Sequence, residues 1–182
     1  MKHALAIAAA CLVSLSHPAE AEPIVLDYSE SSLGFEVQSG ERIIAGTFSD
    51  WTAEIEFDVE NPENSSFSVV VTTADVAVSD ALVASILPSP DWLNATAFPM
   101  GQFLSESVSR QGEDNYLATG MLTLLGQAHQ IDLTIRIEPT AGDLVAEVSG
   151  EIDRSDFGIG ESFGPEIAST TVVLSAHIFE RP

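Results

Sequence analysis

Between His129 and Ile137 every second residue belongs to one set, His129, Ile131, Leu133, Ile135 and Ile137, and every other residue to a second, Gln130, Asp132, Thr134 and Arg136. A period of two sends alternate side chains to opposite faces of a strand, and a helix cannot keep such a set on one side. The same alternation runs through Thr52 to Val59, Phe67 to Thr72, Leu144 to Ile152 and Thr170 to Phe179. One apolar and one wet face is the signature of antiparallel sheet. Turn formers separate the runs at Ser39-Gly40, Asn61-Pro62-Glu63-Asn64, Gln111 to Asn115 and Ala141-Gly142-Asp143. Roughly eight strands joined by hairpin-length links predict an all-β chain, either a closed up-and-down barrel or a sandwich. One interruption is helical, an insert around residues 80–95. Ser79-Asp80 supplies a cap before Leu82, Val83 and Ile86, and Pro88 and Pro90 end the pattern. Asp91 to Asn94 offers a second short helix that closes before Pro99.

The chain has 182 residues, and its start reads as a leader. Lys2 and His3 precede a small and apolar run from Ala4 to Leu15, and Ala19-Glu20-Ala21 has the small-x-small pattern of a cleavage site. Residues 1–21 are therefore expected to be a signal peptide, with 22–182 forming one domain around one core. The apolar run is well short of the ~20 residues that span a bilayer. The single cysteine, Cys11, lies inside it. The expected mature chain therefore has no thiol to form a disulfide, attack a substrate or hold a metal.

Twenty-eight acids against six basic residues give a formal charge of −22. Such a surface repels phosphate backbones, which excludes nucleic acid as a partner.

The remaining side chains offer little chemistry. His129 and His177 are the histidines beyond the leader, and both are read in phase with apolar neighbours, as structural residues. Neither HxH nor HExxH spacing is present, so no zinc site is expected. The acidic stretch EIDRSDFGIGE, Glu151 to Glu161, places Asp153, Ser155 and Gly158 as a calcium loop would. Its fifth and twelfth positions, however, are Phe157 and Gly164. A structural turn is the better account: Arg154 pairs with Asp156 or a neighbouring carboxylate, the glycines permit positive φ, and Phe157 plugs inward. No catalytic residue, metal or cofactor is expected.

Several stretches, in order, resemble the YceI-like family of secreted, lipocalin-like proteins. They are Leu33-Gly34-Phe35-Glu36-Val37, Ala45-Gly46-Thr47-Phe48, Ser79-Asp80-Ala81-Leu82, Trp92 to Pro99, Gly120-Met121-Leu122-Thr123-Leu124-Leu125-Gly126 and Ile152-Asp153-Arg154-Ser155-Asp156-Phe157-Gly158-Ile159. The resemblance implies a lipocalin-like eight-stranded antiparallel barrel in the periplasm. It also implies a long apolar cavity for an isoprenoid lipid or isoprenoid quinone, and an association with b-type membrane cytochromes. Ser79 stands where the family usually has a basic residue, and Ala128-His129 replaces a Thr-basic pair. Both departures favour a neutral quinone or free isoprenoid over a pyrophosphate headgroup.

Three readings follow. The first is a non-enzymatic carrier, monomeric or homodimeric, whose cavity is lined by inward residues: Phe35, Val37, Phe48, Ile55, Phe57, Val69, Trp92, Leu122, Leu124 and Phe157. The second is a soluble acidic partner of a b-type cytochrome, binding through its surface. The third is a hydrolase or isomerase working inside the barrel with His129 or Asp153.

Overall fold

The computed structural model describes residues 23–138 and 144–181. The expected leader, with Cys11, and the Ala141-Gly142-Asp143 turn lie outside them. Ten strands form one antiparallel sheet: β1 (Ser32–Ser39), β2 (Arg42–Phe48), β3 (Trp51–Glu56), β4 (Ser66–Thr72), β5 (Val76–Val78), β6 (Met100–Arg110), β7 (Asn115–Leu124), β8 (Gln127–Glu138), β9 (Val145–Asp153) and β10 (Thr171–Phe179). Their order is β3-β4-β6-β7-β8-β9-β10-β1-β2-β5.

The register closes this sheet. β2 pairs with β5 from Gly46–Val78 to Phe48–Val76, and β3 pairs with β4 from Trp51–Val71 to Glu56–Ser66. These are two halves of one ribbon bent at a corner. Across the corner the Ser49 amide donates to the Asp75 carbonyl (2.8 Å) and the Thr72 amide to the Asp50 carbonyl (2.9 Å). The ten segments, with β2–β3 and β4–β5 each joined into one bent strand, give the eight staves of a barrel. This matches the roughly eight strands expected from the sequence; the corners at Ser49-Asp50 and Thr73 to Asp75 only divide two of the staves into four of the ten segments.

Residues 23–27 extend the line of β1. The Ile24 amide donates to Ile55 O (2.8 Å), and the Asp27 amide to Phe179 O (2.8 Å). Between β7 and β8 a two-residue turn places both Leu125 (φ 49°) and Gly126 (φ 75°) in the left-handed region, as a tight hairpin of this twist demands.

The insert is helical over Ala81–Ile86, called α1 below, where the Asp80 carboxylate accepts from the Leu82 and Val83 amides. A second helix does not follow. Pro88 and Pro90 lack the amides that would continue one, and the chain turns instead. The Leu93, Asn94 and Ala95 amides reach back to the carbonyls of Leu87, Ser89 and Pro88. Among the described residues no helix is long and apolar enough to cross a membrane.

Candidate functional site: an apolar cavity in the barrel

The inward positions do two different jobs. Toward the end that carries α1 and the β9–β10 connection, they pack solid. Phe157 is 2% exposed and meets His129 edge to face at 5.0 Å. Trp92 stacks on Phe163 at 5.1 Å. The Phe35 ring fills the slot left by Gly46, where a Cβ would fall 2.5 Å from it. That contact gives the Ala45-Gly46-Thr47-Phe48 motif its physical reason: a side chain at 46 would expel Phe35.

Toward the other end the barrel is hollow. The cavity measures about 170 Å3 to the centre of a water-sized sphere. One water needs roughly 10–15 Å3 by that measure, so this is room for a ligand and no packing defect. Its wall includes Ile24, Phe48, Trp51, Ile55, Phe57, Phe67, Ile135, Ile137 and Leu144, and among the described residues no charged one contributes to it. The two polar contributors, Gln102 and Ser175, hold outward phases of β6 and β10 and touch the space beside their strands' backbones. In a chain of charge −22, a cavity lining with no ionisable group among the described residues is a strong segregation of polarity, and it suits an apolar occupant.

Of the ten residues singled out from the sequence, Phe48, Ile55, Phe57, Val69 and Leu122 line this cavity. Phe35, Val37, Trp92, Leu124 and Phe157 lie toward the packed end, outside its wall. Strand phase separates inside from outside but carries no information on height along the barrel axis. The wall residues from β8, β9 and β10, such as Ile131, Ile135 and Val148, were as apolar in the sequence as those chosen.

The packed end is organised by Arg154. The expected ion pair with Asp156 is not what the structure shows. Arg154 is 3% exposed, and its guanidinium donates to five backbone carbonyls: Ser169 (2.9 Å), Ile159 (2.6 Å), Gly160 (2.8 Å), Phe163 (2.9 Å) and Ala168 (2.9 Å). All five donors are satisfied, so the cation is tolerated in the interior. Gly158 (φ 73°) and Gly160 (φ 62°) take left-handed conformations, which aims the carbonyls at the guanidinium. Asp153 accepts from the Ser155 amide (2.9 Å) and hydroxyl (2.5 Å). The Ser155 hydroxyl is the main reason its carboxyl titrates below the ordinary aspartate range, with the Ser155 amide next. EIDRSDFGIGE is thus a loop wound around a buried arginine.

The histidines divide. His129 is half-buried on the inward phase of β8, whereas His177 is exposed on the outer face of β10, out of phase with Ala176 and Ile178. His129, Asp132, Glu151, Asp153 and Asp156 share a second, more polar depression with Ile131, Ile152 and Phe157. Among the described residues no three His, Cys, Asp or Glu side chains are arranged to hold a metal ion.

An antiparallel barrel, plugged at one end and hollow and apolar at the other, defines a lipocalin-like class of protein. The chain belongs to the YceI-like family, whose domain model matches residues 25–178. Protein YceI of Shigella flexneri is 30% identical over 150 residues, spanning 79% of this chain and 78% of the relative. The UPF0312 protein plu2095 of Photorhabdus laumondii is 29% identical over the same length and shares of both chains. Two solved structures share the fold. BcnA of Burkholderia cenocepacia superposes with a TM-score of 0.80 at 21% identity, covering 86% of this chain and 99% of that one. A polyisoprenoid-binding domain of Saccharophagus degradans, implicated in plant cell wall breakdown, gives 0.61 at 16% identity, covering 89% and 99%.

Proposed function

We propose that this protein is a periplasmic, non-enzymatic carrier that holds an isoprenoid lipid or isoprenoid quinone in the barrel cavity. The observation that carries the proposal is the cavity wall: an almost wholly apolar surface without one ionisable side chain among the described residues, inside a strongly acidic protein. Membership of the YceI-like family supports it, as does the polyisoprenoid bound by a structural relative. Burial of apolar area contributes roughly 25 cal/mol per Å2, so a tail lying along this wall is held without polar contacts. Retention of that kind needs no catalytic group.

The test is mass spectrometry of protein purified from the periplasm of a native-like host, first intact under gentle conditions and then after solvent extraction. A stoichiometric isoprenoid supports the carrier and identifies its headgroup. A protein that emerges empty, and stays empty when offered isoprenoid quinone, counts against it.

A further inference from the structure

The barrel wall has a weak seam. On the β1 side, paired residues run down to Gly34–Thr47 and resume at the Pro23–Glu56 bridge. Between them the chain leaves the ladder in a turn, where the Ser31 amide donates to Asp27 O at 2.9 Å. A side chain stands in for the missing strand. The Ala53 amide donates to the Tyr28 hydroxyl at 3.1 Å, and the Tyr28 ring meets Trp51 edge to face at 5.0 Å.

Three features make this seam more than a structural patch. Both its borders open on the cavity, since Ile24, Leu33 and Gly34 on one side and Trp51, Ala53 and Ile55 on the other are all wall residues. Tyr28 is 44% exposed and so has room to move. Its hydroxyl accepts one good hydrogen bond, but its own proton is aimed at Ala53 O at 3.5 Å, beyond the usual O–H···O range of about 2.5–3.0 Å. That proton is in effect free to donate elsewhere.

Resting on the carrier reading, we infer that the Tyr28–Trp51 seam holds the polar end of the bound molecule, with the Tyr28 hydroxyl donating to a neutral acceptor such as a quinone carbonyl. The cavity's two polar contributors, Gln102 and Ser175, hold outward phases of their strands, and burying a carbonyl against the apolar wall unpaired is costly. Two cations near the barrel ends are already engaged. Arg154 spends its five donors on carbonyls, and Arg110 is bonded to Glu113 O and Val59 O. Asp27, Glu30, Glu54 and Glu56 flank the seam in the sequence and disfavour an anionic headgroup there.

The experiment compares two ligands on wild type and Tyr28→Phe. One is a ubiquinone with a two-unit isoprenoid tail, and the other is squalene, an isoprenoid hydrocarbon with no polar end. Both are measured by displacement of N-phenyl-1-naphthylamine, with thermal unfolding as the check on folding. The expected result is about fivefold weaker quinone binding, the factor of an ordinary net hydrogen bond, with squalene unchanged. Equal weakening of both ligands, or no weakening of either, overturns the seam assignment while the cavity reading stands. Failure of wild type to take up dye, quinone or squalene overturns the carrier reading, and the seam assignment with it.

Discussion

The guanidinium carbon of Arg154 lies 5.8 Å from the centre of the Trp92 ring. This contact joins the two long connections that plug the barrel, since Trp92 belongs to the insert after β5 and Arg154 to the loop after β9. The Trp92 ring also limits Gly160, where a Cβ would fall 2.9 Å from it. Arginine, tryptophan and glycine therefore fix one another.

Arg154→Lys should destabilise the fold by about 2–4 kcal/mol. Lysine has three donors in place of five and leaves carbonyls unpaired, each costing roughly 1–3 kcal/mol. Denaturant unfolding measures the loss. Trp92 emission should shift to the red as the plug loosens, and an unchanged midpoint and spectrum would contradict the role given to Arg154.

Phe57 stands on the cavity wall, edge to face with Tyr116 at 5.0 Å and 6.1 Å from the Phe67 ring centre. A charge at this position faces an apolar space. Phe57→Asp should therefore either unfold the barrel or yield a folded protein that retains no lipid, whereas Phe57→Leu should keep both fold and ligand. Circular dichroism and mass spectrometry on the same samples distinguish the cases. Full lipid occupancy in folded Phe57→Asp would remove Phe57 from the site.

Acid should expose the contribution of Asp153. Its carboxyl is held below the ordinary aspartate range first by the Ser155 hydroxyl, then by the Ser155 amide. A lowered folded pKa means that the stabilisation is present above the unfolded value of about 3.9 and is lost as pH falls through the lowered folded value. Melting curves from pH 5 down to about 2.5 should fall less steeply for Asp153→Asn than for wild type. Parallel curves would show that this contact contributes nothing to the acid limit.

Salt should stabilise the protein. The charge of −22 is self-repelling, and the ion pairs among the described residues, Arg42–Asp80, Arg136–Glu138 and Arg136–Glu147, are solvent-accessible. Each such pair is worth about 0–1 kcal/mol, too little to reverse the sign. Raising sodium chloride from about 10 mM to about 0.5 M shortens the screening length to well under 10 Å. The melting temperature should rise by about 2–4 °C per kcal/mol of repulsion removed, and a fall would mean that local pairs outweigh the net field.

Much of the barrel was legible because alternation is a local property. β8, β9 and β10 fall within a few residues of the periodic runs that announce them, and Asp80 caps α1 as its residue type requires. Less local features were not legible. The bend that splits two staves into β2–β3 and β4–β5 depends on hydrogen bonds between Ser49–Asp50 and Thr72–Asp75, residues more than 20 positions apart. The role of Arg154 was misread for a similar reason. Neighbouring acids pointed to an ion pair, but backbone carbonyls carry no sequence signal, and the five it uses are brought to it by the fold.

The sequence by itself determined the polarity of the clearly alternating strands such as β8, the family, the acidic exterior and the apolar lining, because each depends on residue type and spacing. Tertiary structure alone decided how far along the barrel each inward residue lies, and hence that Phe57 faces a cavity while Phe157 is packed in a plug. It also placed the Tyr28 hydroxyl against Ala53 in a break between strands. Height along the barrel and breaks in its wall arise from stagger and closure among strands distant in sequence, which no single segment encodes.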